Sequence, residues 1–259
     1  EAIATAYERL NIGTDEELTQ ALEVIRSNEL IPVIWATAED DIYGSKNFDS
    51  LKIARNEHYL DHQLKKLKRQ KNFIKMYKAL DADDNVYFGD ASHPLHNTVL
   101  SSCWVKKGQE KEVFTNSGRR RVNIFGAISV HGKDVVTRSY DTINQFSICN
   151  FLKVLRKRNS SLKKKIYFIL DQGPSNKAIS VRELAKDLNI EIIFLPAYSP
   201  NLNPIERLWK FFKKKVLYNK YYEKQAQFID VCSGFFRGIR KYKKELSTLL
   251  TDNFTPIGT

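Results

Sequence analysis

Two short runs of almost entirely apolar residues, IYFIL at 166–170 and IEIIFL at 190–195, decide the fold of this chain. A run of five apolar residues is typical of a strand that is covered on both faces of a sheet. Between the two runs, apolar residues recur at helical spacing, at positions 178, 181, 185 and 188. A strand, a helix and a second strand in such close succession predict a βαβ unit with parallel strands.

Upstream of this unit, shorter apolar stretches predict an antiparallel meander. We expect its strands over 86–88, 99–105, 123–131 and 135–137. Thr142 is the expected cap of a helix that follows the meander, and Pro204 marks the start of a basic helix that runs to about Leu217. This order of elements predicts an α/β or α+β domain built on a mixed sheet.

Charge is distributed unevenly along the 259 residues, whose net charge is +12. Residues 1–50 carry 11 acidic and 3 basic side chains, a net charge of −8. The remaining residues carry 19 acidic and 39 basic side chains, a net charge of +20. So basic a body predicts a polyanionic partner such as nucleic acid, although a soluble, lysine-rich protein would have a similar composition.

The chain is expected to contain three regions. Residues 1–50 form an acidic segment that is mostly helical, as a capping-box pattern beginning at Thr14 indicates. Residues 51–84 form a basic helical linker or arm, and residues 85–259 form the α/β domain with C-terminal helices. The run KKLKRQK at 65–71 is typical of a solvated helix face, and it would also suit an arm that lies along DNA phosphates.

Several classes of protein are excluded by what the sequence lacks. No apolar run approaches the length of about 18 residues that a membrane-spanning helix needs. The first residues, EAIA, do not resemble a signal peptide, and a start at Glu1 instead of methionine is typical of a trimmed chain. The three cysteines form no CxxC pair, which argues against a disulfide framework or a zinc site and for a reducing compartment. Neither a Walker A motif nor a dinucleotide fingerprint is present.

Three carboxylates occupy positions from which they could carry chemistry. Asp90 follows the first predicted strand, and Asp171 follows the run at 166–170. Ligands of open α/β sheets bind beyond the carboxyl ends of strands, although an isolated aspartate there is usually a turn former or a helix cap. Glu206 lies in the sequence NPIE at 203–206, which is also typical of a plain capping box. Brought together, the three could hold hard divalent cations for phosphoryl transfer.

Clusters of basic residues are candidates for contacts to DNA phosphates. They comprise a turn with Arg119, Arg120 and Arg121, a predicted helix with Lys210, Lys213, Lys214 and Lys215, and a second helix with basic residues at 153–158. A charge run on a helix is usually a solvated face, so the spacing alone leaves these contacts open.

A longer stretch carries a resemblance to a known family. The sequence LPAYSPNLNPIERLW at 195–209 closely resembles the block that ends the catalytic triad of mariner-like insertion-sequence transposases, members of the Asp-Asp-Glu superfamily. DASHP at 90–94 and ILD at 169–171 resemble the blocks of the first and second aspartates. WVKKG at 104–108 and RVNIFGA at 121–127 resemble the blocks that lie between these two aspartates in the family. The similarity covers about residues 65–240, and the 34 residues between Asp171 and Glu206 are a spacing that this family uses.

The resemblance implies an RNase H-like fold, with a mixed five-stranded sheet flanked by helices and an N-terminal helical segment. It implies that Asp90, Asp171 and Glu206 are catalytic and bind two Mg²⁺ or Mn²⁺ ions, with Asp90 and Glu206 on one ion and Asp171 bridging both. In such enzymes water cuts a phosphodiester at the transposon end, and the freed 3′-hydroxyl attacks target DNA.

The resemblance also implies partners and a location. The expected partners are double-stranded DNA, from both the transposon ends and the target, and a second copy of the chain in a homodimer. No membrane partner is expected. The implied location is the bacterial cytoplasm, on the nucleoid when the protein is bound to DNA.

Two departures from the family pattern keep other functions open. Asn176 stands five positions after Asp171, where relatives often carry a histidine, and residues 1–50 contain no basic recognition helix that could read transposon ends. The chain could be a decayed or repurposed transposase that binds DNA without cutting it, or a structure-specific nuclease of the same fold. The intact acidic triad and the long block around Glu206 favour the transposase.

Overall fold

The computed structural model describes residues 49–81, 84–108, 110, 112–116, 120–131, 134–159 and 164–254, with side chains from Leu64 onward. The chain divides into two compact units, residues 1–75 with 254–259 and residues 76–253. A long helix, α1 (Asp49–Lys78), confirms the helix that the basic residues before position 84 predict. The capping box at Thr14 and nearly all of the acidic segment lie outside the described residues.

The second unit is built on a five-stranded mixed sheet. Its strands are β1 (Asn85–Ser92), β2 (Asn123–Ser129), β3 (Asp134–Tyr140), β4 (Ile166–Leu170) and β5 (Ile190–Phe194). They lie in the order β3-β2-β1-β4-β5, with β1–β2 and β2–β3 antiparallel and β1–β4 and β4–β5 parallel. The parallel pair β4–β5 confirms the βαβ unit that the two apolar runs predict.

Helices cover both faces of this sheet. They are α2 (Gln145–Arg158), α3 (Pro174–Lys177), α4 (Ile179–Asp187), α5 (Ile205–Val216), α6 (Gln225–Arg237) and α7 (Lys243–Leu249), with short 3₁₀ turns at Pro200–Leu202 and Ile239–Tyr242. Within the part of the chain that the structure describes, no helix combines the length and the apolar character that crossing a bilayer requires.

One face of the sheet packs against α2 and α4. Phe125 of β2 and Phe168 of β4 lie in one buried cluster with Phe151 of α2 and Val181 of α4. The rings of Phe125 and Phe151 meet edge to face, with their centroids 4.8 Å apart, an arrangement that aromatic pairs prefer. The apolar stripe of α2 thus faces the sheet, as its helical spacing predicts.

The opposite face packs against α5. Apolar residues of α5 form a buried stripe at helical spacing, comprising Ile205, Leu208, Trp209, Phe212 and Val216. The ring of Phe212 lies 5.2 Å from that of Phe235 and 4.9 Å from that of Phe236, both on α6. The sheet is therefore covered on both sides, as its apolar strands require.

The prediction of a strand over 99–105 is wrong. All of these residues are described, and they form no ladder apart from an isolated bridge between Val99 and Tyr218. Leu100 and Trp104 are exposed. A strand needs a ladder with a neighbour, and residues 99–105 join neither edge of the sheet, at β3 or β5, nor any other strand. Apolar composition alone therefore mispredicts this segment, which lies outside the sheet.

Two expected boundaries also differ. β1 continues to Ser92 and does not end before Asp90, because its ladder with β2 extends to the pair Ser92–Ile124. Asn144, not Thr142, caps α2, and its side-chain oxygen accepts hydrogen bonds from the first backbone N–H groups of the helix at 3.0 and 3.2 Å. Thr142 instead accepts a hydrogen bond from the Asn144 side-chain amide, because α2 begins later than expected.

Candidate active site

Asp90 lies within β1, on the face of the sheet that α5 covers. It pairs with Gly126 of β2 in the antiparallel ladder. The indole Nε1 of Trp209, on α5, donates a hydrogen bond of 3.0 Å to Asp90 Oδ2. A helix residue 119 positions away in sequence thus orients one carboxylate oxygen of Asp90.

Asp171 follows directly after β4, at the level of Asp90. Phe88 pairs with Ile169 in the parallel ladder, so Asp90 and Asp171 both lie two residues further along their chains. Since side chains alternate between the faces of a strand, both carboxylates belong to the face opposite the α2 side. Asp171 Oδ1 accepts hydrogen bonds from the Asn176 side-chain amide at 2.5 Å and from the Gly173 backbone N–H at 3.2 Å.

Glu206 is exposed near the start of α5, which begins at Ile205 after a cap at Pro204. The capping box, one of the two interpretations that the spacing of Asn203 and Glu206 left open, does not form, because the Asn203 N–H donates to the carbonyl of Pro200, at 3.0 Å. Asn203 also provides no cap, and its side-chain oxygen is buried with no hydrogen-bond partner among the described residues. The Glu206 carboxylate therefore does not accept a capping hydrogen bond from the Asn203 N–H.

The electrostatics connect these three side chains. Burial, followed by the negative charges of Glu206 and Asp171, raises the pKa of Asp90 to about 7. Hydrogen bonds from the backbone at Ala91 and from Trp209 act in the opposite direction, because they stabilise the charged form. Both other carboxylates thus act on Asp90 as nearby like charges, and the site stores mutual repulsion that a cation would relieve.

The chemistry of this donor set fits a hard divalent cation, because all three side chains offer carboxylate oxygens. None of the ion pairs found among the described residues neutralises them. Within the described part of the chain, however, no three acidic, histidine or cysteine side chains stand close enough together to form a ready ligand cluster. Asp90 is held by the Trp209 indole and by the Ala91 backbone, whereas both hydrogen bonds to Asp171 end on one oxygen, Oδ1.

Trp209 and Gly126 are functional residues that the sequence did not reveal, and Asn176 was apparent only as a departure from a family pattern. Gly126 makes room for Trp209: a Cβ atom at position 126 would lie 2.7 Å from Cη2 of the indole. Asn176 is buried and holds Asp171. The available signal was the place of Trp209 three positions after Glu206 and of Gly126 in an apolar strand, where glycine often marks a close approach.

The basic residues predicted to contact DNA differ in their exposure and in their contacts. Arg119 lies outside the described residues, Arg121 is exposed, and Arg120 donates to the Gln225 side chain at 2.7 Å. On α5, the exposed residues among those predicted to contact DNA are Lys210, Lys213 and Lys214.

Lys215 differs from the other lysines of α5. Its ammonium lies 3.8 Å from the carboxylate of Glu245 and over the rings of Phe211 and Tyr242, at 5.2 and 5.3 Å from their centroids. It is thus engaged within the protein, although its predicted DNA contact remains a prediction.

Known proteins resemble this chain in sequence and in fold. The insertion element IS630 uncharacterized 39 kDa protein of Shigella sonnei is 24% identical over 181 residues, which cover 67% of this chain and 49% of that protein. The chain therefore spans about half the length of this curated relative.

Solved structures of the Mos1 transposase share the architecture. A pre-cleavage Mos1 transpososome is 17% identical with a TM-score of 0.53, covering 98% of this chain and 78% of that one. The Mos1 strand transfer complex is 15% identical with a TM-score of 0.51, covering 98% and 77%. The Mos1 paired end complex with Mg is 16% identical with a TM-score of 0.50, covering 99% and 73%. This likeness confirms the expected RNase H-like fold.

The family is shown by a match to a family model. A family model described as DDE superfamily endonuclease matches residues 85–229, which is more than half of the chain. The matched region includes Asp90, Asp171 and Glu206, together with all five strands of the sheet. The chain therefore belongs to the DDE superfamily endonucleases.

Proposed function

We propose that this chain is the catalytic part of a DNA transposase, which cleaves phosphodiesters at transposon ends and transfers the freed 3′-hydroxyl end into target DNA. One observation carries the proposal: the negative charges of Asp171, at the end of β4, and of Glu206, at the start of α5, both act on the buried carboxyl of Asp90 in β1. They lie at the positions that the mariner-like motifs assign to the catalytic triad. A protein of this kind would act in the bacterial cytoplasm, on the nucleoid.

In this proposal Asp90, Asp171 and Glu206 hold Mg²⁺ or Mn²⁺, with two ions per site. Such ions polarise the phosphoryl group and stabilise the attacking and leaving oxygens of a displacement. Mos1 paired-end structures with Mg and with Mn support this choice of metal. The chain itself supplies orientation: Trp209 fixes Asp90, while Asn176 and Gly173 fix Asp171.

The proposed substrate is double-stranded DNA. Exposed lysines on α5 follow Glu206 on the same helix, and their charge would hold phosphates beside the carboxylates. Arg119, Arg120 and Arg121 are proposed as further contacts, and a homodimer is proposed for the complex that pairs two ends. The Mos1 transposase paired-end complex with left transposon end supports the DNA partner by analogy.

Asp171→Asn tests the proposal most directly. We expect metal-dependent nicking of plasmid DNA by the unmodified chain and a loss of more than about 100-fold in the variant, because weakening a metal site costs several kcal/mol of transition-state stabilisation. DNA binding should persist or tighten as one negative charge is removed. The matched control is Asp187→Asn, at an exposed carboxylate on α4.

Nicking that survives Asp171→Asn would contradict the assignment of the site. A pre-cleaved transposon end with a free 3′-hydroxyl extends the test, because its joining to target DNA requires strand transfer and not cleavage alone. Nicking without joining would instead indicate a nuclease of the same fold.

A second candidate is a DNA-binding protein that does not cut. Asn176 favours it, because this residue, whose amide holds Asp171, stands where members of the resembled family often carry a histidine. The same assay separates the two functions. If neither the unmodified chain nor the variant nicks DNA with Mg²⁺ or Mn²⁺, while binding falls steeply with salt, the second candidate is correct.

A further inference from the structure

A groove runs beside β3, at a free edge of the sheet. Its first part is a cavity of about 610 Å³, lined by residues 135–139 of β3 together with side chains of α2 and α6. A second cavity of about 540 Å³ shares Val135 and Arg158 with the first and extends to Arg240 and Lys243. β3 is the last strand in the sheet order, so no further strand covers this edge. We refer to the two cavities together as the β3-edge groove.

The β3-edge groove is basic. Arg138, Lys157 and Arg237 line its first cavity, and all three are exposed. Among the described residues, no acidic side chain forms an ion pair with any of them. Asp134, which lines the second cavity, is already held by Arg158 through hydrogen bonds of 2.9 and 3.1 Å. The groove therefore carries uncompensated positive charge on a concave surface.

The edge strand adds uncharged donors to these cations. An edge strand leaves part of its backbone N–H groups without a partner strand. Phosphate oxygens of DNA accept hydrogen bonds from backbone N–H groups and from arginine, lysine and serine side chains. Arg138 and Ser139 are exposed on β3 itself, so this strand offers three of these four kinds of donor, and α2 supplies the fourth as Lys157.

The groove lies close to the candidate active site. Thr137 in the groove wall pairs with Gly126, and Gly126 pairs with Asp90. With strands about 4.8 Å apart, the backbone of Thr137 lies about 10 Å from that of Asp90. Three nucleotides of one DNA strand cover about this distance along the helix axis. A duplex whose reacting phosphate is at the carboxylates could therefore also reach the groove.

We propose that the β3-edge groove binds the phosphodiester backbone of DNA, without reading its sequence, as a contact surface separate from the lysines of α5. This inference rests on the proposed function, because it assigns a further site to the same substrate. The ordinary alternative is that the cations only prevent pairing between edge strands of two copies.

The test is a binding measurement in the full chain carrying Asp171→Asn, without divalent metal, so that no cleavage occurs. The probe is a fluorescent duplex of random sequence, and anisotropy is recorded from about 0.05 to 0.2 M salt. The groove variant is Arg138→Glu with Arg237→Glu. The control is Arg182→Glu with Lys186→Glu, which makes the same change in charge at exposed residues on α4, beside the opposite edge strand β5.

We expect the groove variant to bind at least about tenfold more weakly at 0.1 M salt and to reduce the salt slope of log K by about 2 or more, because two phosphate contacts are lost. The control should change the slope much less. The milder pair Arg138→Gln with Arg237→Gln should show a smaller loss in the same direction, and circular dichroism checks that each variant is folded.

Equal losses in the groove variant and the control would overturn the inference, since net charge alone would then explain them. An unchanged slope with new self-association, measured by light scattering, would overturn it in favour of edge protection. Nicking by the unmodified chain is scored separately. If the groove variant binds DNA like the control while the unmodified chain nicks DNA, only this inference is overturned. If the groove variant loses binding as expected but the unmodified chain does not nick DNA, only the proposed catalytic function is overturned.

Discussion

At the scale of single residues, the geometry around Asp90 depends on a glycine. The Asp90–Gly126 pair forms a floor on which the Trp209 indole lies, with its N–H directed at the carboxylate. Any larger residue at position 126 would meet the ring, because a Cβ atom there would be 2.7 Å from Cη2 and 3.1 Å from Cζ2. Trp209 is only 2% exposed, so it has little room to move away.

Gly126→Ala should therefore disturb the site through Trp209. We expect a loss of stability of about 1–3 kcal/mol from overpacking, with a loss of cleavage as the indole moves off Asp90. Urea denaturation and the nicking assay measure the two effects. Gly234→Ala is the control, since the nearest atom to a Cβ there is 3.9 Å away, and alanine should keep or increase the stability of α6. Equal behaviour of the two variants would remove the role given to Gly126.

At the scale of elements, α5 presents two different faces. A helix turns about 100° per residue, so Lys210, Lys213 and Lys214 lie within about 80° of Glu206, whereas Lys215 lies about 180° away. The observed contacts agree, because Lys215 packs on the rings of Phe211 and Tyr242 and pairs with Glu245. One run of three lysines in sequence thus serves two surfaces.

Alanine substitutions should separate these faces. Lys213→Ala with Lys214→Ala should weaken DNA binding and reduce the salt slope by about 2, because two phosphate contacts are removed. Lys215→Ala should leave the slope unchanged and lower stability by less than about 1 kcal/mol, as expected for a partly exposed pair. A slope that changes only in Lys215→Ala would show that the assignment of faces is reversed.

At the scale of the whole molecule, the acidic site makes folding depend on pH. The pKa of Asp90 is raised above its ordinary value of 3.8 to about 7, so the native state binds a proton that the unfolded chain has released. The protonated Asp90 therefore contributes its full stabilisation below about pH 4. This contribution is lost as the pH rises from about 4 through 7, by about 1.4 kcal/mol per pH unit at most.

Asp90→Asn should remove this dependence, because the amide mimics the protonated carboxyl. In the absence of metal, we expect the free energy of unfolding of the variant to exceed that of the unmodified chain by a margin that grows by about 1–3 kcal/mol from pH 5 to pH 8. Denaturant unfolding at the two pH values measures the gain, with Asp187→Asn as the control at an exposed carboxylate. If the free energy of unfolding changed with pH equally in Asp90→Asn and in the unmodified chain, the proposed electrostatic repulsion at Asp90 would be contradicted.

The central architecture can be predicted from local sequence pattern. The runs at 166–170 and 190–195 became the parallel strands β4 and β5, and the apolar stripe of α5 faces the sheet. These features follow from local pattern, because burial on two faces or on one stripe requires a matching period of apolar residues. The three candidate carboxylates were likewise identified from sequence, through motifs that surround each of them.

Tertiary packing settles which residues support those carboxylates and where the edges of the sheet lie. The Trp209–Asp90 hydrogen bond joins residues 119 positions apart, and residues 99–105 form no strand because they pair with no strand of the sheet. The same is true of the β3-edge groove, whose cations come from a strand and two helices. Contacts between distant segments depend on how elements pack, and periodicity along the chain does not encode that packing.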